Sequence, residues 1–193
     1  YKIQKVKHHA SLSYLQINDF YKQLSELDLF SAYALRMVIL NVTRTSEVIK
    51  SKFEQFDLEK RIWTIPYQNM KARKEHKIPL SNEAISIIKF MRQKHNHEYV
   101  FTNLVTGKHI SNGAMLHLLK SRFRNLRITT HGFRSTFRTW AEEQGKYQYY
   151  AIKFSQAHEL PNKIEKAYMR SDLMPERTII MNDWEKYLLS NIA

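Results

Sequence analysis

The sequence has no cysteine among its 193 residues, and it contains only four glycines and four prolines. The lack of cysteine excludes disulfides and thiolate metal sites, and it fits a reducing cytoplasm. The scarcity of glycine and proline favours a compact, largely helical chain over a loop-rich one. At this length the chain can bury a proper core as one domain.

A membrane-spanning run is also missing. The longest apolar stretch, around residues 34–42, contains Arg36 and is shorter than the roughly eighteen residues that a span needs. Acidic residues are few, since 18 Asp and Glu face 31 Lys and Arg and give a net charge of +13. This balance indicates a polyanionic partner. Because the N-terminus lacks both a methionine and a signal sequence, we expect a fragment of a longer protein.

Apolar periodicity predicts an ordered helical domain over residues 13–193, preceded by a basic interdomain linker over residues 1–12. Two early helices are expected around residues 15–27 and 30–42, and Thr43 or Thr45 can cap a short third one. Later helices follow capping residues or prolines, and we place them at 83–92, 111–122, 130–143 and 176–189, with one more between Pro161 and Pro175.

The pattern changes between residues 53 and 79. Residues 61–66 are β-branched and aromatic, and residues 77–80 form a second extended piece. A charged hairpin tip at residues 71–76 joins them. The sequence therefore predicts an α+β, mainly α-helical domain with a small antiparallel sheet.

Two motifs in the first half can bind phosphate. Arg44 and Glu47 share a helix face, so the carboxylate can fix the guanidinium for bidentate contact, although a surface ion pair is the simpler alternative. The hairpin tip carries lysines that can enter a DNA groove or protonate a leaving oxygen, unless they are only a solvated turn. The residues alone do not rank Lys71, Lys74 and Lys77.

A sparse set in the last third suits attack on a phosphodiester without a metal: His131, Arg134, His158 and Tyr168. A tyrosine can be the nucleophile, histidines can move protons or hold a phosphate oxygen, and arginine can neutralise the charge of the transition state. Taken singly, each has a structural alternative, such as a polar helix start or a half-buried aromatic. The other histidines show no metal-ligand spacing.

Basic side chains just upstream of His131 predict a strip that follows DNA phosphates, the alternative being an ordinary solvated helix face. The strip consists of Lys120, Arg122, Arg124 and Arg127.

The order of these groups carries a family resemblance. The strings are Thr43-Arg-Thr-Ser-Glu-Val, Trp63-Thr-Ile-Pro, Met70-Lys71, His76-Lys-Ile-Pro-Leu-Ser, His131-Gly-Phe-Arg134, Ala157-His158 and Ala167-Tyr168-Met-Arg. Together they resemble the catalytic domain of the tyrosine recombinases. With Asp183-Trp184 and Tyr187-Leu188 in the closing helix, the chain is most similar to integrases of satellite phages and genomic islands. The resemblance covers residues 8–188.

The resemblance implies a role for each matching residue. Arg44 and Arg134 would clamp the phosphate, with Glu47 supporting the first arginine. Lys71 would protonate the leaving 5′ oxygen, His131 would act as an acid and base, His158 would hydrogen-bond the phosphate, and Tyr168 would be the nucleophile. The chain departs from the family pattern at Ser46, where many relatives have glycine, and at Gln156, where leucine is usual.

The resemblance further implies a small three-stranded antiparallel sheet and a reaction through a 3′-phosphotyrosyl intermediate that integrates or excises a mobile genetic element. Such an enzyme needs no cofactor and no metal. Its expected partners are double-stranded DNA at attachment sites, three further copies in a synaptic homotetramer, and an accessory DNA-bending or excision factor, whereas the isolated domain can be a monomer. No membrane partner is expected, and the expected location is the bacterial cytoplasm at the nucleoid.

The arm-binding and core-binding domains of such integrases are expected to precede this fragment. Two alternatives stay open at this point: a topoisomerase-like nicking and closing enzyme, and a catalytically silent DNA-binding relative.

Overall fold

The computed structural model describes residues 10–158 and 171–190, which form a mainly helical domain with one small sheet. In chain order its elements are α1 (Ile17–Ser25), α2 (Phe30–Asn41), α3 (Thr45–Ile49), β1 (Phe56–Asp57), β2 (Ile62–Ile65), β3 (His76–Pro79), α4 (Asn82–Lys94), α5 (Ala114–Arg122), α6 (Gly132–Glu143), α7 (Tyr149–Ser155) and α8 (Met174–Leu189). The predicted fold class is confirmed.

Helix α2 is the centre of the core. It is apolar on all sides rather than on one stripe, which is the pattern of a fully buried helix, and nearly every residue from Ala32 to Asn41 is buried. Helices α1, α3, α4, α5, α6 and α8 all pack against it. Helices α3 and α6, which begin beside the candidate site, are therefore anchored to one common element.

The sheet has the order β1-β2-β3, and both pairs of neighbouring strands are antiparallel. Trp63 of β2 is fully buried and stacks on Phe56 of β1, with ring centroids 5.0 Å apart. Along β2–β3, Ile65 lies opposite His76. This register puts His76 at the base of the hairpin loop, and Lys71 lies in the exposed part of that loop.

Local helix boundaries differ from the predictions for identifiable reasons. The N-cap of α3 is Arg44 rather than a threonine, because the Glu47 carboxylate accepts the hydrogen bond of the Arg44 main-chain N–H. Helix α6 begins at Gly132 with His131 as its N-cap, so the cap lies one residue later than the predicted Thr130. Helix α7 was not predicted, since its seven residues are too short and too aromatic to show a helical period.

The polypeptide crosses over the start of α6 before α1 begins. The main-chain N–H of Thr129 donates to the carbonyl of Ala10 at 3.2 Å, and the Thr136 hydroxyl donates to that of Leu12 at 2.6 Å. A Cβ on Gly132 would lie 2.3 Å from the Ala10 carbonyl oxygen, so this crossing requires glycine. Residues 1–9 of the predicted linker and the predicted helix with Tyr168 lie outside the described residues.

Helix α8 closes the domain on its own chain by packing against α1, α7 and β3. Trp184 is fully buried, and its indole N–H donates to the Ile39 carbonyl of α2 at 2.9 Å. Ile180 and Leu188 are buried on the same helix. In residues 10–158 and 171–190 no helix is long and apolar enough to cross a membrane.

We expect Trp184→Ala to lower the free energy of unfolding by about 3–5 kcal/mol, because it leaves a cavity and an unpaired carbonyl between α8 and α2. Urea denaturation followed by circular dichroism measures the change. Ile179→Ala on the exposed side of α8 is the matched control and should change stability by no more than about 0.5 kcal/mol. Equal effects of the two substitutions would contradict the packing described.

Candidate active site

Arg44 is held by Glu47 at the start of α3. Glu47 is 2% exposed, and its two carboxylate oxygens accept hydrogen bonds from the Arg44 main-chain N–H and from Nη1, each at 2.8 Å. The Arg44 side chain keeps 27% of its surface exposed. Because the carboxylate is buried, this is not a solvated surface ion pair: one face of the guanidinium is fixed while another stays accessible.

Arg134 lies in the first turn of α6 and is only 4% exposed. Its Nη1 donates to the carbonyl of Val42, and its Nη2 donates to the carbonyl of Gln156 at 2.5 Å. Val42 ends α2 in the left-handed conformation, with φ of 56°, which is uncommon for a β-branched residue. One planar guanidinium thus joins the ends of α2 and α7 to α6.

The two arginines lie within electrostatic reach of each other. Burial first, and then Arg44, lower the pKa of Arg134 to about 10, while Glu47 opposes the shift. The guanidinium remains charged at neutral pH. The site therefore concentrates two cations beside one buried carboxylate, which is the arrangement that an anionic ligand completes.

His158 follows α7 and joins this pair. Ala157 takes the left-handed conformation (φ 51°), and the chain then turns so that the His158 main-chain N–H donates to the Lys153 carbonyl at 3.0 Å. The His158 Nε2 lies 3.2 Å from Nη2 of Arg134. Burial, then Arg134 and Arg44, lower the pKa of His158 to about 4, so the imidazole is neutral at physiological pH.

Gln156, where the family pattern has leucine, is part of the same framework. It is buried, and its Nε2 donates to the Arg134 carbonyl at 2.7 Å while its own carbonyl accepts from the Arg134 guanidinium. The substitution therefore adds a main-chain contact to α6 and removes none of the reacting groups.

The other three predicted catalytic residues are His131, Lys71 and Tyr168. His131 is the exposed N-cap of α6, and the preceding Thr130 hydroxyl contacts that of Thr45 at 3.1 Å, which joins the starts of α6 and α3. Lys71 is exposed at the hairpin tip. Tyr168 lies outside the described residues.

Two further residues beside this site, His76 and Arg177, were not predicted from the sequence. Burial first, and then Arg177, Arg134, Arg44 and Lys74, lower the pKa of His76 to about 3, so this imidazole also faces the arginines. Arg177 is 2% exposed at the start of α8. The one signal for His76 in the sequence was its place in the string His76-Lys-Ile-Pro-Leu-Ser. Nothing in the sequence around Arg177 distinguishes it from an exposed charge on a helix.

The predicted basic strip lies on the surface, where all four side chains are exposed: Lys120, Arg122, Arg124 and Arg127. Lys74 and Lys77 of the hairpin are exposed as well. Among the side chains that the structure describes, no three His, Asp or Glu residues come together as metal ligands do.

Residues 10–172 match the model of the phage integrase family. The chain is 30% identical to the prophage integrase IntZ of Escherichia coli K12, over 100% of this chain and 48% of IntZ. It is 26% identical to the integrase of Enterobacteria phage P4, over 97% of this chain and 47% of that protein. The chain thus spans about half the length of these relatives.

Solved structures share the fold. The integrase from mycobacterium phage Brujita superimposes with a TM-score of 0.67 at 17% identity, covering 100% of this chain and 66% of that one. The Tn1549 transposon integrase, solved in complex with circular intermediate DNA, gives a TM-score of 0.64 at 14% identity, covering 88% and 63%.

We expect the free energy of unfolding to fall as pH drops from about 6.5 toward 4, in part through His158. Its pKa is lower in the folded chain than its ordinary 6.5, so the unfolded chain binds more protons in this window and acid favours unfolding. Urea denaturation at pH 7.5 and pH 5 should show a smaller decrease for His158→Asn than for the unchanged chain.

The exposed His117 provides the control, because His117→Asn should leave the full decrease in place. Some decrease should remain in His158→Asn, since the pKa of His76 is also lowered. An identical decrease in both variants would contradict the burial of neutral His158 against Arg134.

Proposed function

Since the chain belongs to the phage integrase family, we propose that it is the catalytic part of a site-specific tyrosine recombinase that integrates or excises a mobile genetic element. The observation that carries the proposal is that Arg134 lies beside His158 and within electrostatic reach of Arg44, at the ends of three helices. Their charges and donors suit a phosphodiester whose negative charge increases in the transition state.

In the proposed first step, the phenolic oxygen of Tyr168 attacks the scissile phosphorus. A bond forms between this oxygen and phosphorus, and the bond from phosphorus to the 5′ oxygen breaks. His131 accepts the phenol proton, and Lys71 donates a proton to the leaving 5′ oxygen. The products are a 3′-phosphotyrosyl link and a free 5′ hydroxyl.

In the second step, the 5′ hydroxyl of a partner strand attacks the phosphotyrosyl link and Tyr168 leaves. One phosphate ester replaces another in each step, so the bond energy is kept and no nucleotide cofactor is consumed. The same groups act in reverse, since the proton donor of one step is the acceptor of the next.

The two arginines have different supports and therefore different roles. Arg44 is accessible and backed by the Glu47 carboxylate, which suits direct bidentate contact with the nonbridging oxygens. Arg134 is buried and directed by two carbonyls, which suits a fixed charge in the wall of the site. His158 is neutral, so it supplies a hydrogen bond to the phosphate without a further positive charge.

We assign double-stranded DNA as the substrate. A net charge of +13 and the exposed basic strip support this assignment, as does the DNA in the solved complex of the Tn1549 transposon integrase. Exchange between two duplexes requires four reacting strands, so the proposed working form is a homotetramer at paired attachment sites, aided by an accessory DNA-bending or excision factor. Its place would be the nucleoid of a bacterial cytoplasm.

We expect the chain to form a covalent adduct with a nicked suicide duplex that carries its core site, and Tyr168→Phe to abolish the adduct because no nucleophile remains. Denaturing gel electrophoresis of labelled DNA measures it. Tyr149→Phe, at an exposed tyrosine, is the control and should form the adduct at the unchanged rate.

The outcomes separate the alternatives. An adduct that survives Tyr168→Phe would disprove the nucleophile assignment. Relaxation of supercoiled DNA without exchange of strands between duplexes would favour a nicking and closing enzyme. Binding of the core site without any adduct would favour a silent DNA-binding relative.

We expect replacement of the four basic strip residues by glutamine to weaken DNA binding and to flatten its salt dependence. Each lost phosphate contact reduces the slope of log K against log salt by roughly 0.9, and thus by about 3 to 4 for all four. Fluorescence anisotropy with duplex DNA, at salt concentrations from about 50 to about 200 mM, measures the slope. Lys89→Gln on α4 is the control, and an unchanged slope in the fourfold variant would contradict the strip.

A further inference from the structure

The base of the hairpin meets the first turn of α8 through one pair of side chains. Nη2 of Arg177 donates to the carbonyl of Lys77 at 2.5 Å and lies 3.5 Å from Nε2 of His76. Nη1 of Arg177 reaches the Asp172 carbonyl at 3.5 Å. Two segments distant in sequence, at residues 76–77 and 172–177, are joined here.

Arg177 is a charged side chain in a buried position, which is unusual. It is 2% exposed, and burial lowers its pKa to about 10, so it remains a cation at neutral pH. Among the described residues no carboxylate forms an ion pair with it, and its Nε has no hydrogen-bond partner there. The available partners are main-chain carbonyls and the ring of His76.

The chemistry of this contact determines the state of His76. A guanidinium only donates hydrogen bonds, so the imidazole nitrogen that faces it must be unprotonated. The ring proton then lies on Nδ1. The charged groups that act most strongly on the ring come from four segments: Arg177 from α8, Arg134 from α6, Arg44 from the start of α3 and Lys74 from the hairpin. All are positive, and all favour the neutral ring.

The positions of His76 and Arg177 in the sequence show which segments their contact connects. His76 follows Lys71 by five residues, and Arg177 follows Tyr168 by nine. The contact therefore lies between the hairpin that carries the proposed proton donor and the helix that continues from the segment with the proposed nucleophile. The arginines that would clamp the phosphate, Arg44 and Arg134, lie within electrostatic reach of His76.

We propose that His76 is a positioning residue of the active site, a neutral hydrogen-bond acceptor that joins the Lys71 hairpin to the start of α8 through Arg177. The proposal rests on the recombinase function proposed above. A cation at position 76 would add repulsion to Arg44, Arg134 and Arg177. An apolar side chain would leave a donor of a buried cation without its partner.

The first test does not depend on activity. Nitrogen chemical shifts of the His76 ring in the isotope-labelled 193-residue chain report the tautomer. We expect the Nδ1–H form at pH 7. The amide resonances of residues 71–75 should shift in His76→Leu and stay close to their original positions in His76→Gln, because the glutamine Oε1 can replace Nε2 as the acceptor. The Nε2–H tautomer, or equal shifts in both variants, would overturn the proposal.

The second test measures the single-turnover rate of adduct formation on the nicked suicide duplex. We expect His76→Leu to lose roughly tenfold or more, since a displaced catalytic group costs rate steeply. His76→Gln should stay within about threefold by the same argument. His97→Gln is a control outside the site. Melting temperatures identify any loss that comes from unfolding alone, and equal rates for the Leu and Gln variants would overturn the proposal.

The two tests distinguish failure of the proposed recombinase function from failure of the proposed role of His76. If the unchanged chain forms no adduct, the recombinase function is contradicted, and the tautomer and the amide shifts still decide whether His76 couples the hairpin to α8. If the unchanged chain forms the adduct and the Leu variant matches it, only the role of His76 is disproved.

Discussion

The structure depends on one buried cation, the guanidinium of Arg134. Burying a charge is costly unless every donor is satisfied, and here the carbonyls of Val42 and Gln156 satisfy two of them. Those carbonyls come from the ends of α2 and α7, so the packing of three helices is fixed by the same side chain that we propose as part of the phosphate site. The planar fork of arginine reaches both oxygens at once, which the single ammonium group of a lysine cannot do.

The buried charge of Arg134 is one part of a larger excess of positive charge around the site. Arg44, Arg134 and Arg177 lie around it, while Glu47 is the one carboxylate among the described residues that pairs with any of them. The protein limits the repulsion by keeping the nearby imidazoles neutral. Preorganised positive charge of this kind raises the free energy of the empty site and lowers that of the anion-bound one, which is how electrostatic preorganisation favours a reaction.

Much of this arrangement could be predicted from the sequence, and the limits have physical causes. The dense apolar residues of α2 and the β-branched residues of β2 report burial directly, so both elements were predicted. Helix α7 was not, because its position is decided by contact with α6 and α8 rather than by its own seven residues. Arg44 and Arg134 were found through motif order. Arg177 was missed because a charged side chain in a helix gives no local sign that tertiary packing buries it.

The crossing at Gly132 has a mechanical consequence. Ala10 and Ser11 lie against the backbone of Gly132, and no side chain separates the two segments. Tension or rotation in the polypeptide that leads into Ala10 is therefore applied directly to the first turn of α6, where Arg134 lies. A displacement of Ala10 and Ser11 would therefore move the turn that positions Arg134.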